Sequence, residues 1–300
     1  MDKVLLVTGG GRGIGAATAR QAAQAGWAVA VNYAANALAA DEVVRAIRAA
    51  GGRALAVQGD VADEAQVLRM FETVDAKLGR LTGLVNNAGV MGIGESRTVD
   101  GFEMQFGVDH LGHWTLTALL LPALLRTPGS RVVTVTSTAH HIGRSVDVSN
   151  PHLTGRYGEW RAYGQAKLAN FHFGLGLQRE LQRAGAPTAS LIAHPGLSNT
   201  DLQAVSVEGS GGGASQRFFH AAARYVGMSP DDGALSQLRA ATDPTARGGE
   251  FYGPLFVNNG PPVRKPILRR FGMTRAIAKL WEVSERETGV ALDVHPSAGT

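Results

Sequence analysis

The stretch "TGGGRGIG", Thr8 to Gly15, directly follows the short apolar run "VLLV" and precedes a segment with helical periodicity. Its Gly9, Gly13 and Gly15 have the spacing G-x-x-x-G-x-G. Glycine permits a tight turn and a close approach of the backbone to a pyrophosphate, and the next helix offers free N–H groups and a positive dipole end. This strand–loop–helix context predicts a dinucleotide site, with a ligand-free glycine turn as the alternative. The predicted contacts in the loop are Gly9, Gly11, Arg12, Gly13, Ile14 and Gly15.

Short apolar runs alternate with longer helical stretches along the rest of the chain. Six runs are aliphatic or β-branched on both faces, as expected of strands that are covered on two sides. They are residues 4–7, 28–32, 54–58, 83–87, 131–137 and 189–194. The alternation predicts an α/β fold with a doubly wound parallel sheet, a Rossmann fold of about seven strands with helices on both faces.

Helix signals lie between these runs. Asp63 followed by Gln66 indicates a capping box that opens a helix through Leu78. Ser229-Pro230 indicates an N-cap and the first helical position of another helix. The apolar segment at 114–125 predicts a buried helix, because about a dozen residues are too few to span a bilayer.

No change in composition divides the 300 residues, so one catalytic domain over residues 1–300 is expected. The glycine-rich segment "VEGSGGGASQ" follows the sixth predicted strand and indicates a mobile substrate lid at about 201–225, with a solvent loop as the alternative. A C-terminal extension is expected from about 254 to 300. Its Pro261, Pro262 and Pro266 predict an irregular stretch before a last helix at about 274–288.

Composition excludes several classes of function. The net charge of +4 is modest and no dense basic run is present, so no nucleic-acid partner is expected. The absence of cysteine excludes disulfides, thiolate metal sites and a cysteine nucleophile. No metal is expected either, and His110, His113, His140 and His141 are predicted to pack or to line a pocket. Without a signal peptide or a membrane-spanning run, a cytoplasmic location is the expectation.

The end of the second predicted strand bears on the choice of nucleotide. An acidic residue there would bond the ribose 2′-hydroxyl of NAD. The strand ends in "AVNYA", so Asn32 and Tyr33 occupy this position, and neither is acidic. Arg12, in the glycine loop, is able to reach a 2′-phosphate. The sequence therefore favours NADP(H) over NAD(H).

A tyrosine and a lysine in "YGQAK" have helical spacing. Tyr163 and Lys167 at positions i and i+4 would share one helix face. A unit charge about 5 Å from a phenolate, at an effective dielectric of ~20, stabilises it by roughly 3 kcal/mol, or about two pKa units. Together with the positive charge of an oxidised nicotinamide, the lysine is predicted to make the phenol acidic enough for general acid–base catalysis, although the spacing alone is common by chance.

The ordered motifs resemble those of the short-chain dehydrogenase/reductase family over nearly the whole chain. They are "TGGGRGIG", "GDV" (59–61), "NNAG" (86–89), the serine of "VTVTS", "YGQAK" and "HPGLSNT" (194–200). The stretches "GVDHLGHWTLT", "STAHHIG", "HPGLSNTDL" and "LWEVSE" resemble the branch of the retinol dehydrogenases and the WW-domain oxidoreductase.

The resemblance implies roles for particular residues. Tyr163 would exchange the proton of the substrate oxygen, Ser137 would hydrogen-bond that oxygen, and Lys167 would bond the nicotinamide ribose and stabilise the phenolate. The further cofactor contacts that it implies are Asp60, Val61, Asn87, Ala88, Gly89, Pro195, Gly196, Leu197 and Thr200.

One candidate catalytic residue departs from the family pattern. Asp109, in "GVDHLG", stands where the family usually has an asparagine that helps to hold a water in a proton relay to the lysine, partly through its backbone carbonyl. Aspartate keeps the carbonyl, loses the amide donor and brings a negative charge toward Lys167 unless it is protonated.

Three functions follow as hypotheses. The first is an NADP(H)-dependent oxidoreductase for a carbonyl or alcohol substrate, a small molecule of apolar character. The second is a non-catalytic NADP(H)-binding regulator, which Asp109 keeps open. The third is a nucleotide-sugar epimerase or dehydratase, which the glycine spacing disfavours. A homodimer through helices at about 102–125 and 160–184 is left open, because the C-terminal tail could block that pairing.

Overall fold

The computed structural model describes residues 3–61, 63–197, 227–268 and 272–295. Within that part the strands are β1 (Val4–Val7), β2 (Ala28–Tyr33), β3 (Ala54–Gln58), β4 (Leu81–Asn86), β5 (Arg131–Val135), β6 (Ala189–Ala193), β7 (Phe251–Pro254) and β8 (Pro262–Lys265). They form one sheet in the order β3-β2-β1-β4-β5-β6-β7-β8. Strands β1 to β7 pair in parallel, and β8 joins β7 in the antiparallel direction. The predicted doubly wound parallel sheet is confirmed.

Helices cover both faces of this sheet. They are α1 (Gly13–Gln24), α2 (Ala37–Ala49), α3 (Glu64–Leu78), α4 (Met104–Phe106), α5 (Gly112–Leu125), α6 (Glu159–Arg183), α7 (Pro230–Thr242) and α8 (Met273–Thr288). One apolar core joins α1, α2 and α7 to the sheet, and a second joins α3, α5, α6 and α8 to it. No residue of β1 is more than 1% exposed, which explains its uninterrupted apolar sequence.

Two predicted helix starts are confirmed by their caps. The Asp63 carboxylate accepts the backbone N–H of Gln66 at 3.0 Å, at the start of α3. The Ser229 hydroxyl accepts the backbone N–H of Asp232 at 3.1 Å, and Pro230 is the first residue of α7. These side chains satisfy N–H groups that have no partner within their helices.

A π-helical turn, Gly107–Leu111, connects α4 to α5. Such turns insert an extra residue into the helical repeat and change which side chains face inward. Here the turn buries Asp109 and His110 completely. The predicted buried helix at 114–125 is confirmed as most of α5. Among the described residues, no helix is long and apolar enough to cross a membrane.

The segment after β7 differs from the prediction. An irregular stretch was expected around Pro261, Pro262 and Pro266, but β8 pairs there with β7, and Pro262 lies opposite Pro254. Proline cannot donate a ladder hydrogen bond, yet it is tolerated at the first residue of a strand and on a sheet edge. Pro262 occupies such a position, so the expectation of irregular structure is wrong for β8.

The predicted last helix is confirmed as α8, and it packs on α5 and α6. The rings of Trp281 and Trp114 meet edge to face with centroids 5.1 Å apart. A Cβ on Gly176 of α6 would collide with the Trp281 ring, so glycine is needed at this crossing. The Ser284 hydroxyl is hydrogen-bonded to the ring of His110 at 2.8 Å. Helix α8 thus covers part of the surface expected to form a homodimer, and the dimer stays a prediction.

Candidate active site

The glycine loop lies between β1 and α1, at the carboxyl edge of the sheet. Gly9 and Gly13 have φ angles of +61° and +53°, in the left-handed region that favours glycine. The Gly10 N–H donates to the Asn32 carbonyl at 2.8 Å and holds the loop against β2. A Cβ on Gly15 would collide with the Gly9 carbonyl. The glycines at positions 9, 13 and 15 therefore allow the backbone to form a cradle at the N-terminus of α1.

Thr8 and Asn87 fasten this loop to the end of β4. The Thr8 hydroxyl accepts the backbone N–H groups of Asn87 at 2.8 Å and of Ala88 at 2.9 Å. The Asn87 amide donates to the Thr8 carbonyl at 2.8 Å and accepts from the Gln237 amide at 3.1 Å. Sequence analysis did not select Thr8, although a threonine at the end of β1 is a visible signal. It also missed Gln237, which comes from α7 and has no local pattern.

The end of β2 presents two different side chains. Asn32 is 2% exposed, and its amide donates to the Gly59 carbonyl at 2.9 Å, so it supports the pairing with β3. Tyr33 is half-buried and Arg12 is exposed. A cleft of about 250 Å³ separates α1 from α2 beside Arg12. The two residues predicted after β3 are the exposed Asp60 and the buried Val61.

The segment after β6 lies against the loop that connects β7 to β8. Gly196 has a φ of +72°, and a Cβ there would meet the Asn258 carbonyl carbon at 3.0 Å. The Leu197 N–H donates to the same carbonyl at 2.9 Å. Thr200 and the expected lid at about 201–225 lie outside the described residues.

Tyr163 and Lys167 share one buried face of α6. They are 5% and 6% exposed, and the Lys167 Nζ lies 5.4 Å from the centroid of the Tyr163 ring. The Thr136 hydroxyl donates to the Lys167 carbonyl at 2.6 Å, and the Asn170 amide donates to the Val135 carbonyl at 3.1 Å. These two bonds fix α6 against the end of β5, so the tyrosine is held by the sheet as well as by its helix.

Ser137 lies two residues beyond the end of β5, rather than within the strand as predicted. It keeps an extended backbone, with φ of −141° and ψ of 162°, and it caps the short 3₁₀ helix Thr138–His141. Its hydroxyl accepts the Ala139 N–H at 3.3 Å, and its side chain is close enough to the Tyr163 hydroxyl to lower the pKa of that phenol. The two hydroxyls that were predicted to share a substrate oxygen therefore lie together.

Asp109 contacts the lysine directly. Its Oδ2 lies 2.8 Å from the Lys167 Nζ, and its Oδ1 accepts the Val90 N–H at 2.7 Å. Its backbone carbonyl, which the family resemblance associates with a water, accepts the Nδ1–H of His113 at 2.8 Å. The carboxyl group expected to bring a negative charge near Lys167 is thus in contact with it. Burial raises the pKa of Asp109, and the Lys167 charge and the Val90 hydrogen bond oppose that rise.

The protein's own groups shift the pKa of each member of this cluster. Burial raises the pKa of Tyr163; the Lys167 charge and the Ser137 hydrogen bond oppose this rise, and the Asp109 charge adds to it. Lys167 lowers the phenol pKa, as expected, but in the protein alone burial outweighs the ammonium. Burial favours the neutral amine of Lys167, but the charges of Asp109 and Tyr163 outweigh it and raise its pKa.

Of the four histidines predicted to pack or to line a pocket, His110 and His140 stack on aromatic rings, and His141 is exposed. Burial lowers the pKa of His110 and of His113 to about 3, so both rings are neutral. The His110 ring stacks on Phe106 with centroids 5.2 Å apart, and the His140 ring stacks on Phe171 at 4.6 Å. Over the described ranges, no group of three or more His, Cys, Asp or Glu side chains has the geometry of a metal site.

A parallel sheet in this order, with a glycine loop after its first strand, defines a nucleotide-binding fold of the Rossmann type. A family model described as short chain dehydrogenase matches residues 3–210. The chain belongs to the short-chain dehydrogenase family, and it is an oxidoreductase of that family.

The relatives place the chain in the branch that the sequence predicted. Polyprenol dehydrogenase of Mus musculus is 40% identical over 256 residues, which are 82% of this chain and 73% of that protein. Retinol dehydrogenase 11 of Homo sapiens is 39% identical over 203 residues, which are 67% of this chain and 62% of the human protein. The match thus spans less than two thirds of the human protein.

A solved structure is also similar. The short chain dehydrogenase of Burkholderia cenocepacia J2315, determined in complex with NADP, is 30% identical and has a TM-score of 0.61. The alignment covers 80% of this chain and 90% of the solved one.

Proposed function

We propose that this oxidoreductase transfers a hydride between NADP(H) and a carbonyl or alcohol substrate, with Tyr163 as general acid and base. The observation that carries the proposal is the convergence of Ser137, Tyr163 and Lys167 beside the end of β5. The Ser137 side chain is close enough to the Tyr163 hydroxyl to lower its pKa, and the Lys167 Nζ lies 5.4 Å from the centroid of the phenol ring. Such a pair is able to bind one substrate oxygen while the tyrosine exchanges its proton.

The residues at the carboxyl edge of the sheet fit a dinucleotide. The glycine loop leaves no room for a Cβ at Gly15, and α1 begins within it, so N–H groups without helical partners face a ligand there. We infer that this loop holds the pyrophosphate and that residues 87–89 and 195–197 line the remainder of the site. When bound, the nicotinamide supplies or accepts the hydride.

The preference for NADP(H) rests on charge. The exposed Arg12 guanidinium borders the cleft between α1 and α2, where it would attract a 2′-phosphate. Neither Asn32 nor Tyr33 places a carboxylate at the end of β2 to repel that phosphate. The NADP in the structure of the Burkholderia relative supports the same choice.

Each side chain of the cluster has a separate role at the reacting substrate oxygen. Ser137 holds and polarises it. Tyr163 donates a proton to it during carbonyl reduction and removes one during alcohol oxidation. Lys167 stays an ammonium, because its pKa is raised, and stabilises the phenolate as it forms. Since the pKa of Tyr163 is also raised, the phenol is protonated at neutral pH, which favours reduction.

Two observations support an apolar substrate. The relatives are named for polyprenol and retinol, both long apolar alcohols. In addition, Leu255, Phe256 and Val257 form an exposed apolar tip on the loop between β7 and β8, with exposures of 46%, 69% and 48%. The next residue, Asn258, bonds Leu197 in the segment after β6, so the tip lies at the site's margin. Three consecutive exposed apolar residues are unusual without a function.

Phe256→Ser is expected to raise KM for a long-chain apolar alcohol about tenfold, because the lost apolar contact is worth roughly 1.4 kcal/mol. KM for a short alcohol should not change. Leu68→Ser is the control, since Leu68 is 43% exposed on α3, away from this loop. Steady-state kinetics over a series of chain lengths make the comparison, and equal KM effects on short and long alcohols would contradict the apolar role of the tip.

The proposed function is tested with the purified chain. NADPH is offered with a panel of aldehydes and ketones, NADP⁺ with the matching alcohols, and the ultraviolet absorbance of the reduced nicotinamide is followed. Turnover with NADP(H) in preference to NAD(H) is the expected result. Tight NADPH binding without turnover on any substrate would instead favour the regulatory hypothesis. The single domain, the lid and the cytoplasmic location stay predictions from the sequence.

A further inference from the structure

Asp109 is a fully buried carboxylate that the proposed reaction does not require. Both of its oxygens are engaged by different parts of the chain: Oδ1 accepts the Val90 N–H at 2.7 Å, and Oδ2 contacts the Lys167 Nζ at 2.8 Å. The side chain is 0% exposed and that of Lys167 is 8% exposed. The contact is therefore an enclosed ion pair that bulk water does not screen.

The backbone around the pair holds it in place. The π-helical turn orients Asp109 toward α6, and the His113 ring bonds the Asp109 carbonyl at 2.8 Å. A Cβ on Gly89 would lie 3.1 Å from Asp109 Oδ1 and 3.2 Å from the Lys167 Nζ, so the chain after β4 closes over both groups. An ammonium held in this way has little freedom to leave its position beside the Tyr163 ring.

We propose that Asp109 is a positioning residue: its direct ion pair with Lys167 fixes the ammonium and sets the pH at which Tyr163 ionises. The proposal rests on the proposed function and deepens it. Beside the phenol, the carboxylate opposes the effect of the ammonium charge. An asparagine at this position would keep the acceptor for Val90 and leave the positive charge of Lys167 to act on the phenolate.

The other described groups around this cluster do not oppose the charge of Lys167 by direct contact. Glu103, at the start of α4, interacts with Asp109 electrostatically but is engaged by the N–H groups of its own helix. His113 of α5 is neutral, with its pKa lowered by burial to about 3. Ser137, after β5, is uncharged. Among the residues that the structure describes, Asp109 is thus the carboxylate that contacts Lys167.

The test is Asp109→Asn, with Glu103→Gln as the matched control that also removes a buried carboxylate. The ionisation of Tyr163 is followed without substrate or dinucleotide, by the NMR signal of ¹³C-labelled tyrosine Cζ, assigned with Tyr163→Phe. The pKa of Tyr163 should fall by about one unit or more in Asp109→Asn. It should move by much less in Glu103→Gln. No shift in Asp109→Asn, or the same shift in both variants, would overturn the proposal.

The pH profile gives a second readout. Alcohol oxidation needs the phenolate, so the acid limb of kcat/KM should move to lower pH by the same amount in Asp109→Asn. A structural role alone would lower activity without moving that limb. If the wild-type protein shows no turnover, the proposed function fails, while the NMR titration still decides the role of the ion pair.

A measurement on the wild-type protein covers the case in which Asp109→Asn does not fold. The ¹⁵Nζ signal of Lys167 should report an ammonium that persists above the ordinary lysine pKa of about 10.4. Loss of that proton below the ordinary range would show that no ion pair holds it and would overturn the proposal.

Discussion

Tyr163→Phe is expected to lower kcat for hydride transfer by about a thousandfold, the usual contribution of a positioned general acid and base. The phenyl ring keeps the packing of the buried side chain, which is 5% exposed, and removes only the hydroxyl. The affinity for NADPH should stay within a few-fold of the wild type, because the predicted contacts with the pyrophosphate lie on the glycine loop. Stopped-flow kinetics for the chemical step and fluorescence titration of NADPH measure the two quantities.

Tyr252→Phe is the matched control for this variant. Tyr252 is 3% exposed, and its hydroxyl donates to the Glu250 carboxylate at 2.6 Å, so the substitution also removes a buried, hydrogen-bonded phenol. It lies on β7, outside the Ser137–Lys167 cluster, and its loss should leave kcat nearly unchanged. Equal turnover of Tyr163→Phe and the wild type would contradict the role of Tyr163 as the proton donor.

The sequence predicted those features of the molecule that depend on residues close to one another along the chain. The glycine loop, the caps at Asp63 and Ser229 and the Tyr163–Lys167 pair all depend on spacings of a few residues. So do the strands, because a parallel strand buried on both faces is apolar throughout, whichever strands flank it. Local patterns of this kind identified most of the candidate site before any tertiary contact was available.

The parts that sequence did not predict depend on contacts between distant segments. The side chain of Asp109 reaches Lys167 from a π-helical turn. No pattern in "GVDHLG" predicts that turn. The rise that burial causes in the Tyr163 pKa was not predicted, because spacing reveals the neighbouring charge and not the depth of burial. Strand β8 was not predicted, because the sequence around 261–266 does not show that its prolines lie at the edge of the sheet, where proline is tolerated.

Gly15→Ala is expected to raise the dissociation constant for NADPH about a hundredfold, equivalent to roughly 2.7 kcal/mol. The added methyl would collide with the Gly9 carbonyl and lie 2.7 Å from the Asn87 amide nitrogen. Since those atoms belong to the loop and to the segment that fastens it to β4, the loop must move outward, and its N–H groups lose their alignment with a pyrophosphate. The same overpacking should cost about 1–3 kcal/mol of stability.

Gly158→Ala distinguishes this effect from the general cost of an added methyl. Gly158 precedes α6 with an extended backbone, φ −166°, and a Cβ there would come no closer than 3.7 Å to the Arg161 Cβ. That variant should bind NADPH as the wild type does. Thermal melts followed by circular dichroism, recorded beside the titrations, separate lost binding from lost fold. A folded Gly15→Ala protein with unchanged affinity would mean that the dinucleotide does not lie on the glycine loop, and the assignment of the whole carboxyl edge as its site would fail with it.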